Sequence, residues 1–257
     1  MSVRSSPLKQ ASLRVPGQSL QGQIDRLSGD VIATYSAYAA GAFALMLYEW
    51  ARWLTKSSPN PLVVTILGAG VIAYSLRRLL KAKRHLRLLE MGRDGERAVA
   101  EALDKIRGKG AAVLHDIVAQ GFNIDHVVIA KRGIYAIETK TWTKRNGAQL
   151  TYDGSKLLIG GWKPPSDPVS QAVANAAWLS RNLKEMTGKR YYVRPVVVFP
   201  GWYVNNPGGA SRPGAWVLNP EQLLPIITDQ PPSLSDKEAH SASYFLTRYV
   251  KTHLEPA

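Results

Sequence analysis

The sequence predicts an α/β domain, a mixed β-sheet flanked by helices, preceded by a two-helix transmembrane hairpin. Three observations carry this. Two runs without a charge, Val31 to Tyr48 and Pro61 to Leu76, lie in the first third of the chain. Two β-rich runs, Ile124 to Ile129 and Ile134 to Ile137, flank a turn at Lys131-Arg132-Gly133. A helical pattern from Pro168 to about Thr187 then leads to an apolar strand, Tyr191 to Phe199, suited to a parallel place in the same sheet. The 257 residues leave room for one full domain and an extra module. The expected partition is a flexible basic tail over 1–29, a transmembrane helical hairpin over 30–80, a basic juxtamembrane helix over 81–91 and an α/β domain over 92–257.

Residues 1–29 are rich in Ser, Gln, Pro and Gly with scattered Arg and Lys, the composition of a loose tail. Eighteen helical residues from Val31 span about 27 Å, near the hydrocarbon thickness of a bilayer. Trp50 and Trp53 follow, with Glu49 and Arg52, as at a membrane–water interface. A polar loop, Thr55 to Asn60, joins the two runs. Their lengths favour a bilayer over the alternative, a soluble helical hairpin packed on the domain. A cleaved signal peptide fits less well, because the apolar run continues past any small-residue cleavage site. Gly68-Ala-Gly70 reads as close helix packing rather than a dinucleotide loop.

Arg4, Lys9, Arg14 and Arg26 precede the first run, and Arg52 and Lys56 flank the loop. Arg77, Arg78, Lys81, Lys83, Arg84, Arg87 and Arg93 follow the second. The positive-inside rule then puts both ends in the cytoplasm, with the protein integral to the cell's inner membrane. The basic stretch can lie on anionic lipid headgroups or touch nucleic-acid phosphates. Net charge is +14, which favours those same two partners. Residues 1–91 hold 12 Lys/Arg against 4 Asp/Glu, and residues 92–257 hold 21 against 15, so the domain is only mildly basic. Cysteine is absent, which excludes disulfides and thiolate metal sites.

The domain is expected to open with a helix from Gly92 to Ile106, buried along Val99, Leu103 and Ile106. Glu96 falls on the edge of that stripe, in a catalytic role or simply favouring the helix dipole. Ala112 to Val118 is a strand, leading through Gln120-Gly121 into the central hairpin. If its turn centres between Arg132 and Gly133, Ala130 opposes Tyr135 and Asp125 opposes Lys140. Glu138 and Lys140 are two apart and leave one face, which Asp125 then shares. Two acids and a lysine on one face suit a divalent metal with a lysine beside the attacking water. They equally suit a cross-strand ion pair on a solvated face.

Gln149 to Tyr152 and Lys156 to Ile159 flank Asp153-Gly154, a hairpin turn signal. Lys144, Arg145 and Lys156 with Trp142 and Trp162 form a basic, aromatic neighbourhood that could grip a nucleic-acid strand. Asp167-Pro168 starts the next helix, Gly188 closes it, and Gln171 sits in its first turns. Ala215 to Leu218 is a short strand and Asn219-Pro220 a helix start. Ser235-Asp-Lys-Glu238 is a capping box for the last helix, which turns Ala242, Phe245, Leu246 and Tyr249 inward. The histidines show no zinc spacing, and neither a Gly-x-Ser-x-Gly elbow nor a P-loop is present.

Four pieces in order carry a family resemblance: Gly92-x-x-Gly95-Glu96; the hairpin with Asn123-Ile-Asp-His126, Arg132-Gly133 and Ile137-Glu-Thr-Lys140; Gln171; and the Tyr191–Phe199 strand. From about Gly92 to Phe199, and more weakly to the C-terminus, the chain resembles the nuclease-related domain, a branch of the PD-(D/E)xK nuclease superfamily. The resemblance implies a PD-(D/E)xK-like sheet, Asp125 and Glu138 as ligands of Mg²⁺ or Mn²⁺, and Lys140 orienting or activating water. Glu96 and Gln171 would act in support, although Gln171 also reads as ordinary helix surface. The implied function is a membrane-anchored, metal-dependent hydrolase of phosphodiester bonds, with DNA ahead of RNA as substrate. The alternatives are a non-catalytic membrane-tethered nucleic-acid-binding or scaffold protein, and an adaptor working through residues 77–93 alone.

Overall fold

The computed structural model describes residues 14–55, 61–144, 147–207, 209 and 214–253. Of the residues singled out above, Arg4, Lys9, Lys56, Asn60 and Arg145 lie outside these. The described residues form two compact units, one within 19–91 and one combining residues 14–18 with those from 92 onward.

Helix α1 (Gln18–Arg26) passes through a π-helical turn, Leu27–Ile32, into α2 (Ala33–Leu54). A loose tail was expected over 1–29, but from Gln18 onward the chain is helical. Gln, Leu, Ile and Arg are adequate helix formers, and Gly17 at φ +73° makes the turn ahead of them. Helix α3 runs unbroken over Pro61–Arg107. The Gln18–Leu54 and Pro61–Arg107 helices are each long and apolar enough to cross a membrane. Their large side chains stay exposed: Leu54 is 74% and Ile66 72% accessible. The two runs pair through Trp50 Nε1, which donates to Thr65 Oγ1 at 3.0 Å, and through an edge-on contact of Tyr35 with Tyr74. A Cβ on Gly68 would lie 2.7 Å from Met46 Sδ, whereas one on Gly70 would meet nothing. Of the two glycines, Gly68 is the one that close helix packing requires.

No break occurs at Gly92, where the domain's first helix was expected to open. Leu88, Leu89, Glu90, Met91 and Arg93 outweigh a glycine that costs about 1 kcal/mol. Glycine is needed at Gly95, where a Cβ would fall 2.1 Å from Thr141 Cγ2.

The main sheet has the order β1 (Ala112–Ala119), β2 (Phe122–Ala130), β3 (Gly133–Thr139), β6 (Val193–Val198) and β8 (Trp216–Leu218). The first two pairings are antiparallel and the last two parallel, giving the mixed sheet expected. Strands β4 (Leu150–Tyr152), β5 (Leu157–Ile159) and β7 (Val204–Asn205) make a second, three-stranded sheet. Helix α4 (Pro168–Thr187) is the crossover between β3 and β6, begun by Asp167 accepting from Ser170 N–H and ended by left-handed Gly188. Asn219 and Ser235 each form a capping box, for α5 (Pro220–Asp229) and α6 (Asp236–Thr252).

Helices cover both faces of the main sheet, so β3 is buried along nearly its whole length. One face packs Val127, Ile129, Ile134 and Ala136 against Leu179 and Leu183 of α4 and Leu246 of α6. The other packs Val128, Tyr135, Ile137 and Trp216 against Val99, Leu103 and Ile106 of α3 and Leu223 of α5. The Val99, Leu103 and Ile106 stripe is therefore the buried one expected. Phe245 is only partly buried, while Ala242 and Leu246 beside it are fully so.

Candidate active site

The β2–β3 turn is tighter than expected. Ala130 opposes Gly133, not Tyr135, and His126 opposes Ile137. Carried one step further, this register sets Asp125 opposite Glu138 rather than Lys140. Gly133, at φ +139°, lets Lys131 and Arg132 alone make the turn. The slip is two residues, so every side chain keeps its face and Asp125, Glu138 and Lys140 still converge.

The β1–β2 ladder loses a rung beside this point. His115 pairs with His126 and Ile117 with Ile124, while Asp116 and Asp125 between them do not pair. Asp116 is left-handed at φ +50°, alone among the described non-glycine residues. Alternation fails there: Leu114 and Ile117 bury into one cluster, as do Val127 and Ile124 across from them. The kink frees Asp125 for the neighbouring strand. Its Oδ2 accepts from the Thr139 N–H at 2.7 Å. Asp116 is itself buried and accepts from Asn123 Nδ2 at 3.0 Å.

Glu138 is 4% exposed. Its Oε2 accepts from Asn175 Nδ2 at 3.1 Å, and its Oε1 lies 3.9 Å from Lys140 Nζ. The Lys140 backbone N–H donates to Val198 O at 2.9 Å, tying the lysine to the end of β6. Glu96 comes from α3. The Gly95–Thr141 approach lets this helix lie against the chain just beyond Lys140.

The electrostatics are those of too many acids for the cations present. Burial, then repulsion from Asp125, raises Glu138 to about 9, against the pull of Lys140. Burial, then Asp125 and Asp116, raises Glu96 to about 8. Burial raises Asp125 to about 7 although the Thr139 N–H and Lys140 favour its ionised form. A hard divalent cation suits such an oxygen-donor set, since it supplies the missing positive charge. Among the described residues, no three His, Cys, Asp or Glu side chains close on one point in this geometry. The fit is therefore one of donor type and charge.

His115 and His126 lie behind the kink with their Nδ1 atoms 2.7 Å apart. Burial holds both below the ordinary histidine range, with Arg107 adding to the effect at His115 and His115 at His126. Neutral and enclosed, they serve as core polar residues.

Of the residues expected at the site, Glu96, Asp125, Glu138 and Lys140 come together electrostatically. Gln171 is exposed, and Asn175, one turn further along α4, is the amide that touches Glu138. Asn175 shows in the sequence as a polar residue among Ala172, Ala176 and Leu179. Asp116 could have been found by counting outward from the Gln120-Gly121 turn, which places it opposite Asp125. Nothing local marks Arg14, whose guanidinium pairs with Asp116.

Residues 91–200, somewhat under half of the chain, match the family model described as the nuclease-related domain. That stretch is thus similar to the nuclease-related domain, and its mixed sheet with flanking helices is in keeping with the likeness. No curated protein and no solved structure matches the chain.

Proposed function

We propose that the nuclease-related domain is a metal-dependent phosphodiester hydrolase acting on nucleic acid, DNA ahead of RNA, anchored at the cytoplasmic side of the inner membrane. The observation that carries this is the Asp125–Glu138–Lys140 cluster, with Glu138 buried and the other two half-buried, whose acids lack the positive charge to ionise together. Asp125 and Glu138 would hold Mg²⁺ or Mn²⁺, which when bound lowers the pKa of a water and offsets charge growing on the phosphate. The Thr139 N–H fixes one Asp125 oxygen and Asn175 one Glu138 oxygen, leaving the others to face inward. Lys140, close to Glu138 Oε1, orients the attacking water and steadies negative charge in the transition state. Glu96, raised by burial and by Asp125 in the absence of metal, would lie beside the two ligands in support. Gln171 sits at the rim, one helical turn outside Asn175.

The partition into a basic tail, a membrane hairpin, a basic juxtamembrane stretch and a nuclease-related domain belongs to this reading. Its support is topological. Residues 14–17 pack in the same compact unit as residues 92–257, although both apolar runs lie between them in sequence. Two crossings return the chain to its starting side, and one would not. Residues 77–93, with their seven Lys/Arg, then meet anionic headgroups, each worth about 1 kcal/mol near the surface.

The test is cleavage of single- and double-stranded DNA and RNA by the full chain in lipid nanodiscs with Mg²⁺ or Mn²⁺. Lys140→Ala should keep the metal and lose turnover, and Glu138→Ala should lose both. Cleavage by Glu138→Ala at the parent rate would return the cluster to a cross-strand ion pair. Metal and nucleic-acid binding without turnover in the parent would favour the tethered binding protein.

A further inference from the structure

The segment ahead of the first apolar run packs into the acid site. Arg14 Nη2 lies 3.1 Å from Asp116 Oδ2, with the two side chains only 13% and 4% exposed. Three residues on, the Gly17 backbone N–H favours the charged form of the Glu96 carboxylate. Gly17 at φ +73° fits tightly, since a Cβ there would come within 2.8 Å of Arg93 Cγ. The turn between them is locked on itself: Gln18 N–H donates to Val15 O at 3.0 Å, and Val15 N–H to Gln18 Oε1 at 3.1 Å.

Burying a guanidinium and a carboxylate costs several kcal/mol unless the two meet well. A tail lying loosely on a surface would leave its arginine in water. Here the pair forms at the kinked Asp116, which opposes Asp125 across the missing rung of the ladder. We infer that Arg14 and Gly17 are positioning residues of the acid site, so that the site is assembled from chain on both sides of the membrane hairpin. The Arg14 guanidinium partners the Asp116 carboxylate where water cannot. The pair also holds the left-handed turn that aims Asp125 across to Thr139. Gly17 lets the segment close on Arg93, three residues before Glu96. The docking stands on geometry alone, whereas the role in loading the site rests on the nuclease reading.

Two readouts on the full chain in nanodiscs separate these. Limited trypsin digestion followed by mass spectrometry reports the docking. The Arg14–Val15 bond should resist cleavage in the parent and become cleavable in Asp116→Asn. Equally rapid cleavage in both overturns the docking, whatever the domain does. Mn²⁺ binding reports the positioning role. Arg14→Ala should weaken it about 10–100-fold, as loss of groups that orient metal ligands does, and Arg14→Lys should recover part of that. In an Asp116→Asn background the Arg14→Ala change should have no further effect, because the contact that positions the turn is already gone. Unchanged or tighter Mn²⁺ binding in Arg14→Ala overturns the role and marks the segment as a competitor of the metal. A parent chain that binds no Mn²⁺ overturns both the role and the nuclease reading, leaving the protease result to decide the docking alone.

Discussion

Glu138 and Asn175 meet inside the domain, both buried, with Asn175 Nδ2 donating to Glu138 Oε2 at 3.1 Å. The amide helps the carboxylate ionise against strong desolvation, and it fixes which oxygen remains for Lys140 and a metal. Asn175→Ala should push Glu138 further upward and lower Mn²⁺ affinity about 10-fold or more. Calorimetric titration of the full chain would measure this. An unchanged affinity would remove Asn175 from the site.

Without metal, stability should fall as pH rises. Glu138, Glu96 and Asp125 lie at about 9, 8 and 7, above their ordinary values of 4.5, 4.5 and 3.8. Between these limits the folded state binds more protons than the unfolded chain, so the free energy of unfolding decreases with pH. The contribution is complete below about pH 4 and is lost progressively up to about pH 9. Thermal unfolding followed by tryptophan fluorescence in EDTA should show this decline. Glu138→Gln should flatten it, and Mg²⁺ should stabilise more at pH 8 than at pH 5. A melting temperature that climbs steadily over the same range would contradict the assignment.

Gly95→Ala should damage the site from outside it. The new Cβ would sit 2.1 Å from Thr141 Cγ2, so α3 and the chain after Lys140 must part. Overpacking of this kind costs about 1–3 kcal/mol, and Glu96 would move away from Asp125 with the helix. Adding Thr141→Ser removes the clashing methyl and should restore most of the stability and metal binding. Failure of the second change to help would show that another contact sets the position of α3.

The membrane reading can be tested by extraction and by labelling. Carbonate washing should leave the chain in the membrane pellet. Since the sequence contains no cysteine, Thr55→Cys and Lys237→Cys give single reactive sites at exposed positions. Thr55→Cys should react with a membrane-impermeant maleimide on intact spheroplasts, and Lys237→Cys only after lysis. The reverse pattern would invert the topology, and release by carbonate would end the integral-membrane reading.

The sequence by itself determined the features that a local period encodes. Uncharged runs of bilayer length, strand alternation, turn residues and helix caps depend on neighbours within a few positions. They give the two apolar helices, the order of most elements, and the common face of Asp125, Glu138 and Lys140. That face survives the two-residue error in register because side-chain direction repeats every two residues. What faces what was decided only by the tertiary structure. Asp125 stands opposite Glu138 because the chain turns on Lys131 and Arg132 alone. Asn175 and not Gln171 reaches Glu138 because of how α4 lies on the sheet. Gly92 leaves α3 unbroken, whereas Gly95 is required by Thr141, far along the chain. Arg14 meets Asp116 across a hundred residues. These pairings are set by packing and by the cost of leaving a buried charge without a partner, and neither is written in the spacing of nearby residues.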